Sequence, residues 1–519
     1  MKKFERPIYE GEEWTPALLQ RFLEISEEIA VEKCGLDLYP NEVKIVTSKQ
    51  MEDAMVTGAL PLQLYHWFYG MQSYQIEATG SRGYLEIVQN TNPCQLYCAE
   101  NNTATEMLVV IAHAGCGHNA VYKNNFLFRQ FTNPKGIVDY LIFARDFLRK
   151  CEEKYGEERV SDLMTACMAL GPYSVDLIRK PKPRSYDDEL ARLQKRVEQF
   201  ERSFNPVFHD RSSSPLRGQN EIEIRIPESP DENILKFIEK QGPRLRVIEE
   251  WEAEVTRIFR KINEYFYPHT RTKVVHEGAA CTLQRTVFNC LSPLELGAVS
   301  NSAMNNFFDV HARVTGQPGY RWRDKFEGKI PLWGINHYSL GFQLFQDIER
   351  ICREPTDEDR AWFPDLIGAN FWEVFRHIIA EHDDESFIQT YFSPKLIRDY
   401  AFFALEDDPE HDYFEVTDIH NEEGYRHVRD RLAHQYAYHA ALPNLEVASV
   451  DIGSGCALTL RHTQHDRVHL DGNSVGEFLF IVHRNLWPRT MRIESVDAEG
   501  KVTDLWIANE GKVTNVVPR

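Results

Sequence analysis

The sequence has no excess of positive charge. Lys and Arg total 59 against 79 Asp and Glu, a formal net charge of −20. That balance argues against a general nucleic-acid or anionic-membrane binder, leaving room only for a local basic patch. No uncharged apolar run approaches the roughly 18 residues a membrane helix needs. The opening MKKFERPIYEGEEW has lysines but no apolar stretch behind them, so neither membrane insertion nor a signal peptide is expected. The ten cysteines are scattered and none form C-x-x-C, which excludes a zinc ribbon and a thioredoxin motif. A reduced, cytoplasmic protein is the expectation. The phosphate-binding G-x-x-x-x-G-K-[ST], the dinucleotide G-x-G-x-x-G and the nucleophile elbow G-x-S-x-G are missing too, so ATP-binding, Rossmann and hydrolase-elbow readings have no support. There are no internal repeats.

What is present is an ordinary globular chain of 519 residues, 42% hydrophobic and 27% charged, long enough for more than one domain. Apolar residues at helical spacing predict helices over 14–35, 136–155, 231–267, 337–353, 370–382 and 423–438. Tyr267-Pro268 is expected to end one helix and Thr272 to start the next. Residues 81–89 read as a strand. Thr103 with Glu106 forms a capping box opening a helix that should run to about Gly115. Residues 179–230, rich in Arg, Lys, Pro, Ser and Asp, read as an exposed charged insert. After about 443 the pattern changes to strands at 445–452 and 456–463, a helix at 474–486, and a hairpin over 490–508. The expected fold is therefore mainly α, α+β overall. A large helical N-terminal region with short strands (1–440) precedes a small ββαββ C-terminal domain (441–519).

Two segments carry the chemistry. In MLVVIAHAGCGHNAVYKNNF (107–126), His113 and His118 follow a buried-looking run. At about 100° per residue their i,i+5 spacing places them roughly 140° apart on an ideal α-helix, unlike the shared face of H-E-x-x-H. They can meet at one ion only if the backbone departs from that helix, and Gly115 and Gly117 offer a place for it. The alternative is a helix C-terminus with hydrogen-bonded histidines. In TKVVHEGAACTLQRTVFNC (272–290), Glu277 shares an otherwise apolar helix face with Ala280, Cys281, Gln284 and Phe288. A buried carboxylate needs a metal, an Arg or a His beside it; the alternative is a structural glutamate bonded to a neighbouring helix. Asp309-x-His311 and DIHNEEGY (418–425) are weaker features, the second reading best as an Asn421 N-cap.

Several long blocks in order resemble the SpoVR family, the stage V sporulation protein R-like proteins. They include LDLYPNEVKIVTSKQM (36–51), NTNPCQLYCAENNTATEMLVVIAHAGCGHN (90–119), YFYPHTRTKVVHEG (265–278), GINHYSLGFQLFQDIERIC (334–352) and IHNEEGYRHVRDRL (419–432). The resemblance implies a long N-terminal region and a short C-terminal domain. It also implies a role in spore cortex formation or in stationary-phase and stress responses, with a PrkA-like serine kinase and a von Willebrand A-type protein as partners. On that basis a regulatory, non-catalytic protein is expected first. The alternative is a metal-dependent hydrolase with a divalent ion such as zinc. His113, His118, Glu277 and His311 would be its ligands, with Asp309 as a substitute, and Glu277 its catalytic base. Relatives usually carry a His seven residues after the Glu; here that position is Gln284, a poor zinc ligand, which suggests a rebuilt or degraded site.

Overall fold

A computed structural model of the chain describes residues 3–9, 13–56, 86–177, 195, 225–227, 229–317, 335–400, 405–407, 414–416, 420–438, 442–464 and 469–516. The insert expected at 179–230 lies almost wholly outside the described residues. The fold is mainly α with short strands, and the chain forms two compact units, one of Met1–Arg145 with Tyr265–Ala441 and the other of Asp146–Glu264 with Leu442–Arg519.

The first unit holds a three-stranded sheet whose central strand β3 (Cys94–Ala99) pairs in parallel with β1 (Asn41–Val46) and antiparallel with β2 (Glu86–Gln89). Helix α1 (Pro16–Glu28) starts at a Thr15 N-cap with proline in its first turn. Helix α2 begins at the expected capping box, where Thr103 accepts the Glu106 N–H and Glu106 accepts the Thr103 N–H. It does not stop near Gly115. Ala104–Val110 passes without a break into a π-helical stretch, Ile111–His118, and on into Asn119–Asn124. Nor does Pro268 end its helix, which spans Glu250–Arg271; the break comes at Thr272.

Helix α3 (Lys273–Leu291) is buried around its circumference, with Val274, Gly278, Ala280, Cys281, Leu283, Gln284 and Phe288 among its hidden residues. A helix buried on all sides must be approached closely by its neighbours. Both α2 and α5 (His337–Arg353) do so. A Cβ at Gly117 would overlap the Ala280 backbone. One at Gly278 would overlap the Gly341 backbone, and one at Gly341 would overlap the Val274 carbonyl and Gly278. Glycine is needed at these crossings because the colliding atoms are main chain and cannot rotate away. Helix α4 (Asn301–Thr315) packs on the same assembly, its Phe307 ring stacked on Phe288 at 4.1 Å.

In the second unit a six-stranded sheet runs β9 (Lys512–Asn515), β8 (Val502–Asn509), β7 (Met491–Val496), β6 (Ala457–Thr463), β5 (Leu445–Asp451), β4 (Arg225–Ile226). The parallel β6–β7 pair is joined through helix α7 (Gly472–Asn485), and the other pairs are antiparallel. The expected ββαββ order is present with β9 added. This unit also takes in Asp146–Glu264, expected with the N-terminal region. Pairing of Arg225 with Asp451 and of Asp231 with Val447 attaches that stretch to the C-terminal sheet.

The crossings lead to a contrast between two glycines. Gly341→Ala is expected to destabilise by about 1–3 kcal/mol, seen as a lower urea midpoint at unchanged slope. Gly476→Ala in α7, where a Cβ meets nothing within 4 Å, should be neutral or stabilising by up to about 1 kcal/mol. Equal losses in both would remove the special status of the α3–α5 crossing.

A buried histidine–carboxylate cluster

The π-helical stretch brings His113 and His118 together. In a π-helix the hydrogen bond spans i to i+5, here Asn119 N–H to Ala114 O, so residues five apart align much as i,i+4 residues do in an α-helix. The backbone does depart from an α-helix as convergence requires. It does so by widening, with the glycines still helical. The two imidazole rings lie 4.8 Å apart, edge to face.

Both rings turn their Nε2 atoms toward α3. Glu277 Oε2 is 3.3 Å from His113 Nε2 and 3.7 Å from His118 Nε2. Glu86 Oε1, from β2, is 3.7 Å from His113 Nε2. Among the described residues, Glu86, His113 and His118 offer ligand atoms all within 4.8 Å of one another and can hold a metal ion. Oε2 of Glu277 is buried and makes no well-aligned hydrogen bond, although two imidazole nitrogens stand within 4 Å of it. An unsatisfied carboxylate oxygen aimed between two ring nitrogens is costly in a packed interior. An oxygen so placed could serve as a ligand atom to a cation.

The outer nitrogens are held by other side chains. His113 Nδ1 lies 2.8 Å from Gln284 Oε1, and the Gln284 amide nitrogen lies 2.6 Å from His311 Nδ1. His118 Nδ1 lies 3.0 Å from His276 Nδ1. Hydrogen placement follows from the network. Since Oε1 can only accept, His113 donates from Nδ1, and its Nε2 lone pair is free to face the carboxylates when the ring is neutral. Behind this lies an aromatic wall, with His276 packed against Tyr122 at 5.0 Å and Phe128 at 5.1 Å.

Burial and charge set the protonation pattern. Burial pushes the Glu86 carboxyl up to about 7, a shift that Glu277 reinforces and His113 opposes. Burial would also raise Glu277, yet the imidazoles of His118 and His113 and the Tyr338 hydroxyl outweigh it and hold Glu277 below the usual carboxylate range. For His113, burial favours the neutral ring, but Glu86, then Cys281 and Glu277, raise it well above the ordinary value. Burial dominates at His118 and His276 and keeps both neutral.

Of the residues marked by the sequence, His113, His118 and Glu277 converge. His311 stands behind Gln284, with its Nδ1 engaged there and its ring against Phe307 and Phe342. Asp309 is exposed and pairs with Arg313 at 3.2 Å. Asn421 caps helix Glu422–His434 through the Gly424 N–H, as expected. Glu86 was read only as part of a strand; its signal was a carboxylate inside the otherwise apolar LEIV. Gln284, read as a failed ligand, is a tether between two histidines.

Two family models match the chain, "SpoVR like protein" over residues 13–441 and "SpoVR-like C-terminal domain" over 443–498. A relative from Escherichia coli (strain K12), described as "Uncharacterized protein YcgB", is 39% identical over 511 residues, covering 97% of this chain and 96% of that protein. No solved structure matches.

The N-terminus of α3, four residues before Glu277, is anchored by Asp384, which opens helix α6 (Asp384–Tyr391) and accepts the Val275 N–H at 2.9 Å. Burial pushes the Asp384 carboxyl up to about 7, against the pull of the Val275, Val274 and Lys273 amides. Its folded value is raised, so its contribution to stability is complete below the ordinary carboxylate value and is lost as pH climbs through about 7. Asp384→Asn keeps an acceptor oxygen and removes the titration. Its stability relative to the parent should therefore improve as pH rises from roughly 4 to about 7 and level off above that, measured by urea unfolding. A difference that does not change with pH would refute a protonated Asp384.

Proposed function

We propose a metal-dependent function for this chain, which belongs to the SpoVR-like family. It binds one first-row divalent ion, zinc by its donor chemistry, between Glu86, His113, His118 and Glu277, and uses it for hydrolysis. The observation that carries this reading is the Glu277 Oε2 geometry. Tetrahedral zinc with bonds of about 2.0–2.2 Å spaces its ligands roughly 3.3–3.6 Å apart. The nitrogen–oxygen separations around this oxygen and from Glu86 to His113 are 3.3, 3.7 and 3.7 Å. Two imidazoles with carboxylates suit zinc and its neighbours better than calcium or magnesium, which prefer oxygen donors throughout.

When bound, such an ion supplies Lewis acidity, polarising a water or a carbonyl. The chain's own residues do the rest. His118, neutral through burial, presents its Nε2 lone pair when its Nδ1 donates to His276. Glu277, ionised, holds an acceptor oxygen at the centre of the cluster, where it serves as a ligand. Glu86 has the most exposed side chain of the four, 21% against 14% for Glu277, 10% for His118 and 4% for His113, so access is from its side.

Family membership favours a second reading. The chain would then act in the cytoplasm as a regulator in sporulation or in stationary-phase and stress responses, with a PrkA-like serine kinase and a von Willebrand A-type protein as partners, and without turnover.

Elemental analysis of the purified full-length protein is expected to find about one zinc-type ion per chain, lost in the His113→Ala, His118→Ala double variant. Added zinc at about 100 times its Kd should stabilise the metal-free parent by about 2.7 kcal/mol and leave the double variant unmoved. A folded parent that takes up no divalent metal would end the metal reading. Metal uptake with no turnover across ester and peptide substrates would favour the regulator.

A further inference from the structure

Resting on the metal reading above, we infer that Gln284 is a positioning residue that sets the tautomer and aim of His113. A histidine ligand binds through one ring nitrogen, and which one is available depends on the hydrogen bond made by the other. Here Gln284 Oε1 lies 2.8 Å from His113 Nδ1 and can only accept. The proton is therefore kept on Nδ1, on the side away from the carboxylates, and Nε2 is the nitrogen offered toward Glu277 and Glu86.

The amide itself is locked. Gln284 is 1% exposed, and its amide nitrogen donates to His311 Nδ1 at 2.6 Å. His311 is neutral, its value lowered to about 4 by burial and by Arg285, so its Nδ1 lone pair can accept. A flipped amide would point its NH2 at a His113 nitrogen that carries a proton and its oxygen at the bare nitrogen of His311, losing both bonds. Phe307 and Phe342 hold the His311 ring, at 5.3 and 4.8 Å. The chain His311–Gln284–His113 thus runs from a packed aromatic support to the cluster. Position 284 lies two helical turns beyond Glu277 on the same face of α3, so one helix supplies both the central carboxylate and the part that aims its neighbour. His311 accordingly supports the cluster at one remove and is not a ligand.

Cobalt(II) titration of the full-length, metal-stripped protein, with chelator competition and the visible spectrum as readouts, tests this. Gln284→Leu is expected to weaken cobalt binding about 10- to 100-fold and to alter the spectrum. Gln284→Glu keeps the acceptor at His113 and should restore affinity and spectrum to the parent's, or bind more tightly because a carboxylate makes the imidazole more basic. His311→Ala should keep one cobalt per chain with a smaller loss than Gln284→Leu. Parent binding matched by Gln284→Leu would overturn the inference and leave the metal reading standing. So would a Gln284→Glu variant as weak as Gln284→Leu, or loss of all cobalt in His311→Ala. No cobalt binding by the parent would overturn both.

Discussion

The cluster depends on how closely α3 is approached from two sides. Helices normally pack with axes 8–10 Å apart, at a distance set by the side chains between them. At Gly117–Ala280 and Gly278–Gly341 there are almost no side chains between them. The first contact draws His113 and His118 up to Glu277. The second brings α5, with Tyr338 beside Glu277, against the opposite face. A larger residue at either crossing would place a Cβ in overlap with main-chain atoms and force the helices apart, lengthening imidazole–carboxylate contacts that now measure 3.3–3.7 Å. Backbone-level packing and site chemistry are here the same constraint.

That constraint creates an electrostatic problem. Glu277 is one residue from Gly278, so drawing α5 onto α3 also takes its carboxylate out of water. Burial of an ionised carboxylate is sustained only with close compensation. His113 supplies a positive charge, since the carboxylates around it outweigh its own desolvation. Glu86 adds a second acid, and burial moves it up to about 7, with Glu277 pushing the same way and His113 opposing. A divalent cation would relieve all three tensions at once. It would discharge the proton from His113, satisfy the orphaned Glu277 oxygen and favour the ionised Glu86. Metal binding and proton release are linked in this way wherever ligands must deprotonate.

Much of the scaffold was legible in the sequence because it follows from local rules. The Thr103–Glu106 capping box, the Asn421 cap and the C-terminal ββαββ order come from short-range signals and appear where expected. The departures share a cause. Pro268 stays inside its helix because the residues around it are held by tertiary packing, which overrides a local breaker. The sequence around His113 and His118 implies an α-helical turn, and that turn separates the two rings. A π-helical insertion has no simple sequence code; the rings' alignment comes from one extra residue per turn under packing against Ala280. Arg225, Ile226 and Asp231 join the C-terminal sheet by pairing across more than two hundred positions, which no local pattern encodes.

Gln284 shows why a departure from a family pattern is ambiguous until its surroundings are known. Judged by donor chemistry, a neutral amide where the family resemblance implies an imidazole looks like a lost ligand. Its place in the fold gives it another task. The four groups that face Glu277 Oε2 or His113 Nε2 come from β2, α2 and α3 itself, and position 284 lies beyond them, against the far nitrogen of His113. At that place an acceptor is what the chemistry calls for, and an amide provides one without adding a third buried negative charge to Glu86 and Glu277. It also provides a donor on its other side, which His311 accepts. A substitution that removes a ligand-type side chain therefore leaves the four converging groups intact, because the residue stands one hydrogen bond outside them.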